Sequence, residues 1–167
     1  MGGNVYIIDT SSLIQLWSFN RKVFETLWLK IEGLIDSKLL ISPEIVLNVE
    51  LKTKIGAKTP LFVWARKHKE MFIKITTEQL VALKEVTNSY PSWVNVDSLK
   101  NQADPYVVAL AIVKKRQKQR NIRYGNVIVI TQESQDPGRL KIPKVCKDYG
   151  IESTNLDGLF LKEDWKF

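Results

Sequence analysis

The run Val127-Ile128-Val129-Ile130-Thr131 constrains the fold more than any other part of the chain. It is apolar without alternation, β-branched and short, so it reads as a strand buried on both faces, the condition met in a parallel sheet covered by helices. Val5-Tyr6-Ile7-Ile8 repeats the pattern near the start, and Leu39-Leu40-Ile41 adds a second short buried strand. Between these runs the apolar spacing turns helical. Leu13, Leu16, Trp17, Val23, Leu27 and Leu34 predict one or two helices to about Asp36, interrupted near Asn20. Ser42-Pro43 predicts an N-cap followed by proline at the first position of a helix to about Ile55. After a turn at Gly56 and Thr59-Pro60, an amphipathic helix runs from Leu61 to about Met71, with Arg66, Lys67, His68 and Lys69 on the wet side. Phe72 to Ile75 suits a short extended piece, and Thr76 or Thr77 caps a helix to about Ser89.

Tyr90 to Gln102, with Pro91, Asn95, Asp97 and Asn101, reads as a loop. Asp104-Pro105 opens a helix to about Gln119, and Pro143 to Gly150 forms a short helix ended by glycine, before a final edge strand at Ile151-Glu152-Ser153. Strands alternating with helices predict an α/β fold whose mostly parallel central sheet is flanked by helices. No repeat, linker or low-complexity tract divides the 167 residues, so residues 1–167 are expected to form a single domain.

No stretch approaches the roughly 20 apolar residues of a membrane span, and the start lacks a basic lead-in and a cleavage site, so a soluble cytoplasmic protein is expected. Cys146 is the only cysteine, which excludes an internal disulfide and a thiolate metal cluster and suits a small buried role. The net charge of +7 attracts polyanions, and makes nucleic acid a reasonable partner.

Function in open α/β sheets collects beyond the carboxyl ends of the strands. Asp9 follows the first strand there. Thr131, Gln132 and Glu133 follow the strongest later one, Asp104 opens a helix, and Glu50 lies in the helix after the second strand. Two carboxylates about 4 Å apart repel by roughly 4 kcal/mol at an effective dielectric near 20, so four that converge call for a cation. An all-oxygen donor set without His or Cys selects a hard ion, Mg²⁺ or Mn²⁺, rather than zinc. A basic surface around an acidic pocket fits phosphodiester hydrolysis, in which Lys and Arg hold the substrate and the metal polarises the phosphoryl oxygen and activates a water.

The segments VYIIDTSSLI, ADPYVVALA, VIVITQES and KIPKVCKDYGI together resemble the PIN-domain superfamily along nearly the whole chain, and more narrowly a prokaryotic branch related to the ribonuclease toxins of toxin–antitoxin pairs. The resemblance implies a PIN-like three-layer fold, a pocket of acidic residues binding Mg²⁺ or Mn²⁺, and metal-dependent endoribonuclease cleavage of single-stranded RNA. Toxin members are usually dimers restrained by an antitoxin, so an antitoxin protein and a homodimer enter as implied partners. Residue by residue, the family's first carboxylate falls on Asp9 and its small hydroxyl residue on Ser11. The second acid falls on Glu50 before Leu51, and the third on Asp104 within Ala103-Asp104-Pro105. The fourth falls on Glu133, two residues after Thr131, where most of the superfamily carries aspartate.

Each residue also has a plainer use. Asp9 and Asp104 can cap helices, although Thr10, Ser11 and Ser12 can replace Asp9 in that work. Glu50 can sit on a wet helix face, and Asp136-Pro137-Gly138 reads as a turn. His68 reads as a surface residue. Lys114, Lys115, Arg116, Lys118, Arg120 and Arg123 form the densest basic stretch and are candidate RNA contacts, with Tyr90, Trp93 and Tyr124 as candidate base-stacking groups; dipole complementation and core packing are the alternatives. Two other functions compete: a PIN fold that binds RNA or protein without cleaving, and an aspartyl phosphotransferase. The second needs another aspartate where Ser11 stands.

Overall fold

The computed structural model describes residues 2–93, 99, 102–121, 125–134 and 140–167. Val5–Ile8 forms β1 and Val127–Ile130 forms β4, both wholly buried, as their unalternating apolar runs require. With β2 (Leu40–Pro43), β3 (Phe72–Ile73) and β5 (Glu152–Thr154) they make a five-stranded sheet in the order β3-β2-β1-β4-β5, every pairing parallel. Successive side chains of β1 and β4 point to opposite faces. Tyr6, Ile8, Ile128 and Ile130 enter one core with α1 (Thr10–Trp17), α2 (Glu25–Asp36), α3 (Pro60–Lys67) and α7 (Leu156–Lys162). Val5, Ile7, Val127 and Val129 enter a second core with α4 (Thr77–Ser89), α5 (Asp104–Arg120) and α6 (Ile142–Asp148). This is the expected α/β architecture of three layers, sheet between helices.

β1 has β2 on one side and β4 on the other, so the chain reverses its direction of winding between β1 and β4. Helices leaving those two strands diverge there, and a crevice opens at their carboxyl ends. Asp9 and Thr131 stand at its lip.

Three elements differ from the expectation. Ser42 and Pro43 continue β2 instead of starting a helix; the Ser42 hydroxyl is buried and donates to the Ile8 carbonyl at 2.7 Å, a partner on the neighbouring strand that no local pattern reveals. Downstream, Val46–Gly56 is a π-helix. Val46, Val49, Thr53 and Ile55 are β-branched and weak α-formers, and the Thr53 hydroxyl bonds the Val49 carbonyl at 2.5 Å, occupying the acceptor that an α-helix gives to the Thr53 amide. Finally, α7 was not expected. Asn155 caps it through a 3.0 Å bond from the Gly158 amide.

Gly158 packs α7 onto β5, since a Cβ there would lie 1.8 Å from Thr154 Oγ1 and 2.9 Å from Thr154 Cβ. Gly158→Ala should therefore destabilise the fold by about 1–3 kcal/mol despite alanine's better helix propensity, read as a lowered urea midpoint. An unchanged midpoint would show that α7 is loosely docked. Among the described residues no helix is long and apolar enough to cross a membrane.

Candidate functional site

Asp9 ends β1 with only 2% of its surface exposed. It caps α1 after all: Oδ1 accepts from the Ser12 amide at 2.8 Å, and the Ser11 hydroxyl reaches Oδ1 and Oδ2 at 2.8 and 2.9 Å. Thr131 donates to Oδ2 at 2.5 Å from the end of β4, and its oxygen accepts from the Glu133 amide at 3.1 Å. Ser11 in turn accepts from the Gln132 amide at 3.1 Å. The two strand ends are thus laced together through one buried carboxylate. Burial pushes the Asp9 pKa up, and the bonds from Thr131, Ser12 and Ser11 oppose that rise.

Asp104 lies across the crevice in the first turn of α5. Ala103, not Asp104, is the N-cap residue, so the capping role is not the one Asp104 performs. No described residue donates a hydrogen bond to its carboxylate. Its pKa is raised to about 7, first by burial and then by the charges of Glu133, Asp9 and Glu50, with Lys54 alone pulling the other way. The structure therefore brings Asp9, Glu50 and Glu133 within electrostatic reach of Asp104.

The two glutamates have backbone partners as well. Glu50 Oε1 accepts from the Ala103 amide at 3.0 Å, which places it at the start of α5, and Lys54 stands 3.6 Å from the same oxygen. Glu133 Oε2 accepts from the Ile142 amide at 2.9 Å, where α6 begins without a side-chain cap of its own. Burial and the neighbouring Asp9 charge raise the Glu133 pKa, against that bond and Lys141. Each glutamate keeps a second oxygen outside these bonds.

The donor chemistry suits a hard divalent ion: four carboxylates, and two hydroxyls next to Asp9 in the chain whose oxygens, Ser12 Oγ and Thr10 Oγ1, are buried without a hydrogen-bond partner among the described residues. Spacing is the counterweight. Among the described residues, no three carboxylate, imidazole or thiol groups stand close enough together to hold a metal ion as they are. The ring fits a cation in charge and donor type, with the glutamates spread between it and the helix amides.

A family model described as a domain of unknown function (DUF4411) matches residues 6–167. The chain belongs to the DUF4411 family. No curated protein matches it. The DUF4411 match spans Asp9, Glu50, Asp104 and Glu133, so all four acids lie within the family's own domain.

The basic residues lie elsewhere. Lys114, Lys115, Arg116, Lys118 and Arg120 occupy the C-terminal part of α5, roughly 15–24 Å along the helix from Asp104. Lys115 donates to the Tyr149 and Gly150 carbonyls at 2.9 Å each, Arg116 grips Glu85 through both nitrogens at 3.2 and 2.8 Å, and Lys118 reaches Asn126 at 2.6 Å. These three tie secondary elements together, and none of the five lines the carboxylate cleft. Arg123, Tyr124 and the Asp136 turn lie outside the described residues. His68 is half-buried beside the Trp64 ring at 4.9 Å rather than on the open surface, and Cys146 is buried as expected.

A cleft of about 270 Å³ is lined by Glu50, Lys54, Trp93, Gln102, Ala103, Asp104 and Pro105. Lys54 was not singled out from the sequence, although its place four residues after Glu50 is the spacing at which a helix pairs opposite charges. A roomier, mainly apolar cavity of about 540 Å³ lies against Val5, Ile41 and Val127 on the second core's face of the sheet, and no carboxylate of the crevice lines it.

Proposed function

We propose that this protein is a Mg²⁺- or Mn²⁺-dependent endoribonuclease of the PIN type that hydrolyses phosphodiester bonds of single-stranded RNA. One observation carries the reading: Asp104, a half-buried carboxylate with no hydrogen-bond donor among the described residues, sits among three other acids at the crevice where the winding reverses. Such a group is unfavourable in its charged form unless a cation joins it. Asp9 and Asp104 would hold the ion, with Glu50 and Glu133 completing the set. When bound, it would polarise the phosphoryl oxygen and lower the pKa of the attacking water.

The chain's own part is to position. Ser11, Ser12 and Thr131 fix the Asp9 carboxylate and favour its charged form, the form that ligates. Lys54 supplies a cation beside Glu50 for a substrate phosphate. The resemblance extends the proposal to the toxin of a toxin–antitoxin pair in the cytoplasm, dimeric and restrained by an antitoxin.

A second reading, a PIN-fold module that binds RNA or protein without cleaving, has the attachment of Glu50 and Glu133 to helix amides on its side. Purified protein given Mn²⁺ or Mg²⁺ should cut single-stranded RNA and stop when EDTA is added, and calorimetry should register Mn²⁺ binding. RNA left intact with both metals would defeat the nuclease reading; metal uptake without cleavage would favour the module.

A further inference from the structure

The carboxylate cleft has one wall that metal chemistry leaves unexplained. Among the described residues that line it, Trp93 is the one aromatic group, set beside Glu50, Lys54, Gln102 and Asp104 and the small apolar Ala103 and Pro105. Its ring is half-buried, and its indole N–H donates to no acceptor among the described residues. One part of the ring packs against the second core, and the rest keeps apolar surface in contact with water at the cleft.

The ring is also held firmly. The Trp93 amide donates to the Tyr90 carbonyl at 3.0 Å, and the two rings meet edge to face with centroids 6.4 Å apart. Tyr90 is anchored by its hydroxyl on Asp148 at 2.6 Å, and Asp148 by Lys144 at 2.6 Å on the same helix, α6. Trp93 therefore stands on a pedestal rooted in α6, whose start is gripped by Glu133. Lys54 enters the cleft from the π-helix, its side chain 50% exposed beside Glu50.

We infer that Trp93 and Lys54 form a subsite for one unpaired nucleotide beside the carboxylates, the base stacked on the indole and its phosphate met by the lysine. Every base has a π-face, so such a platform accepts any base but requires it to be free of a duplex. The inference rests on the ribonuclease reading of this cleft, and names what selects single strands there.

The test uses Asp104→Asn protein, which keeps the cleft but should not cut, and two probes: a short oligouridylate and an abasic ribose-phosphate chain of equal length. Fluorescence anisotropy should show the base-bearing chain bound on the order of 10-fold tighter or more. Adding Trp93→Leu, which keeps an apolar side chain without a ring, should bring the preference close to unity, whereas Trp93→Phe should keep most of it. Lys54→Ala should weaken both probes alike and flatten the salt dependence. Equal binding of the two probes by Asp104→Asn protein, or a preference that survives Trp93→Leu, overturns the inference. The parent reading is scored separately: wild type that fails to cut oligouridylate with Mn²⁺ sinks the nuclease while a ring-dependent preference leaves the platform standing.

Discussion

Asp104→Asn should leave the protein without nuclease activity and, when no metal is present, more stable than wild type at neutral pH. A carboxylate with a structural partner behaves in the opposite way, since its amide loses a charge-assisted bond. Asp104 has no such bond to lose among the described residues. Its folded-state pKa of about 7 lies above the ordinary aspartate value of 3.8, so the folded protein binds the extra proton. Stability from this group is complete below about pH 4, falls as pH rises toward 7, and is fully lost above that. The loss is at most about 4 kcal/mol, because each pKa unit is worth about 1.4 kcal/mol.

Asparagine escapes that loss. The two proteins should melt together near pH 4, and the variant should gain roughly 5–10 °C above pH 7. Mn²⁺ should then raise the melting temperature of wild type and not of the variant. Activity should fall on the order of a thousandfold, the several kcal/mol that a metal contributes to such a transition state. Equal melting curves at pH 8 would mean that Asp104 is solvated, and would remove the main support for a cation at this place.

Thr131→Val should be the most destabilising of the conservative changes at the site. Valine keeps the shape of threonine at a position only 2% exposed, so packing is preserved and polarity alone is tested. The change deletes the 2.5 Å bond to Asp9 and leaves the Glu133 amide without the oxygen it meets at 3.1 Å. A bond to a buried charge is worth about 1.5–3 kcal/mol and an orphaned amide costs about 1–3 kcal/mol, which together give a loss near 3 kcal/mol where the amide recovers some water.

The loss carries a pH sign. Thr131 lowers the Asp9 pKa against burial, so in the valine variant that pKa climbs further. The added destabilisation belongs to the charged form of Asp9; it should be present at pH 8 and shrink as the carboxyl protonates on acidification. Thr131→Ser restores the hydroxyl and should recover most of the stability. Chemical denaturation of the three proteins at two pH values decides the matter, and a valine variant as stable as wild type would show that packing, not the bond, holds β4 to β1.

The sheet was legible because burial on both faces leaves a mark in composition: Val5 to Ile8 and Val127 to Ile130 contain no polar residue to alternate with. Asp9 and Asp104 were legible for a related reason, each lying at a boundary between a strand or loop and a helix where the fold class predicts a crevice. The roles of Glu50 and Glu133 were not. Their partners are the amides of Ala103 and Ile142, and an amide is the same group whichever residue carries it, so no letter of the sequence announces the contact. The partners of the basic stretch were hidden in a similar way. Lys115 and Arg116 look like a surface charge run until the fold brings the Tyr149 carbonyl and Glu85 alongside. Helix α7 escaped notice because Gly158 sits inside its short run, and the need for glycine there lies in Thr154 of the neighbouring strand.

The π-helix at Val46–Gly56 has a consequence for descent. Such a ladder behaves as an α-helix carrying surplus length, and the loss of one residue is enough to relax it. A relative with one residue fewer in this turn would close the segment toward an α-helix and keep its glutamate in place, whereas one with a further residue before position 50 would turn its glutamate by about 100° about the axis, the angle between successive residues of an α-helix. That carboxylate would leave the Ala103 amide and the cleft together, although an aligned glutamate would still be read at its place. Insertions and deletions in this turn are therefore as telling as substitutions of the acids: the site is inherited as a count of residues as well as a set of charges.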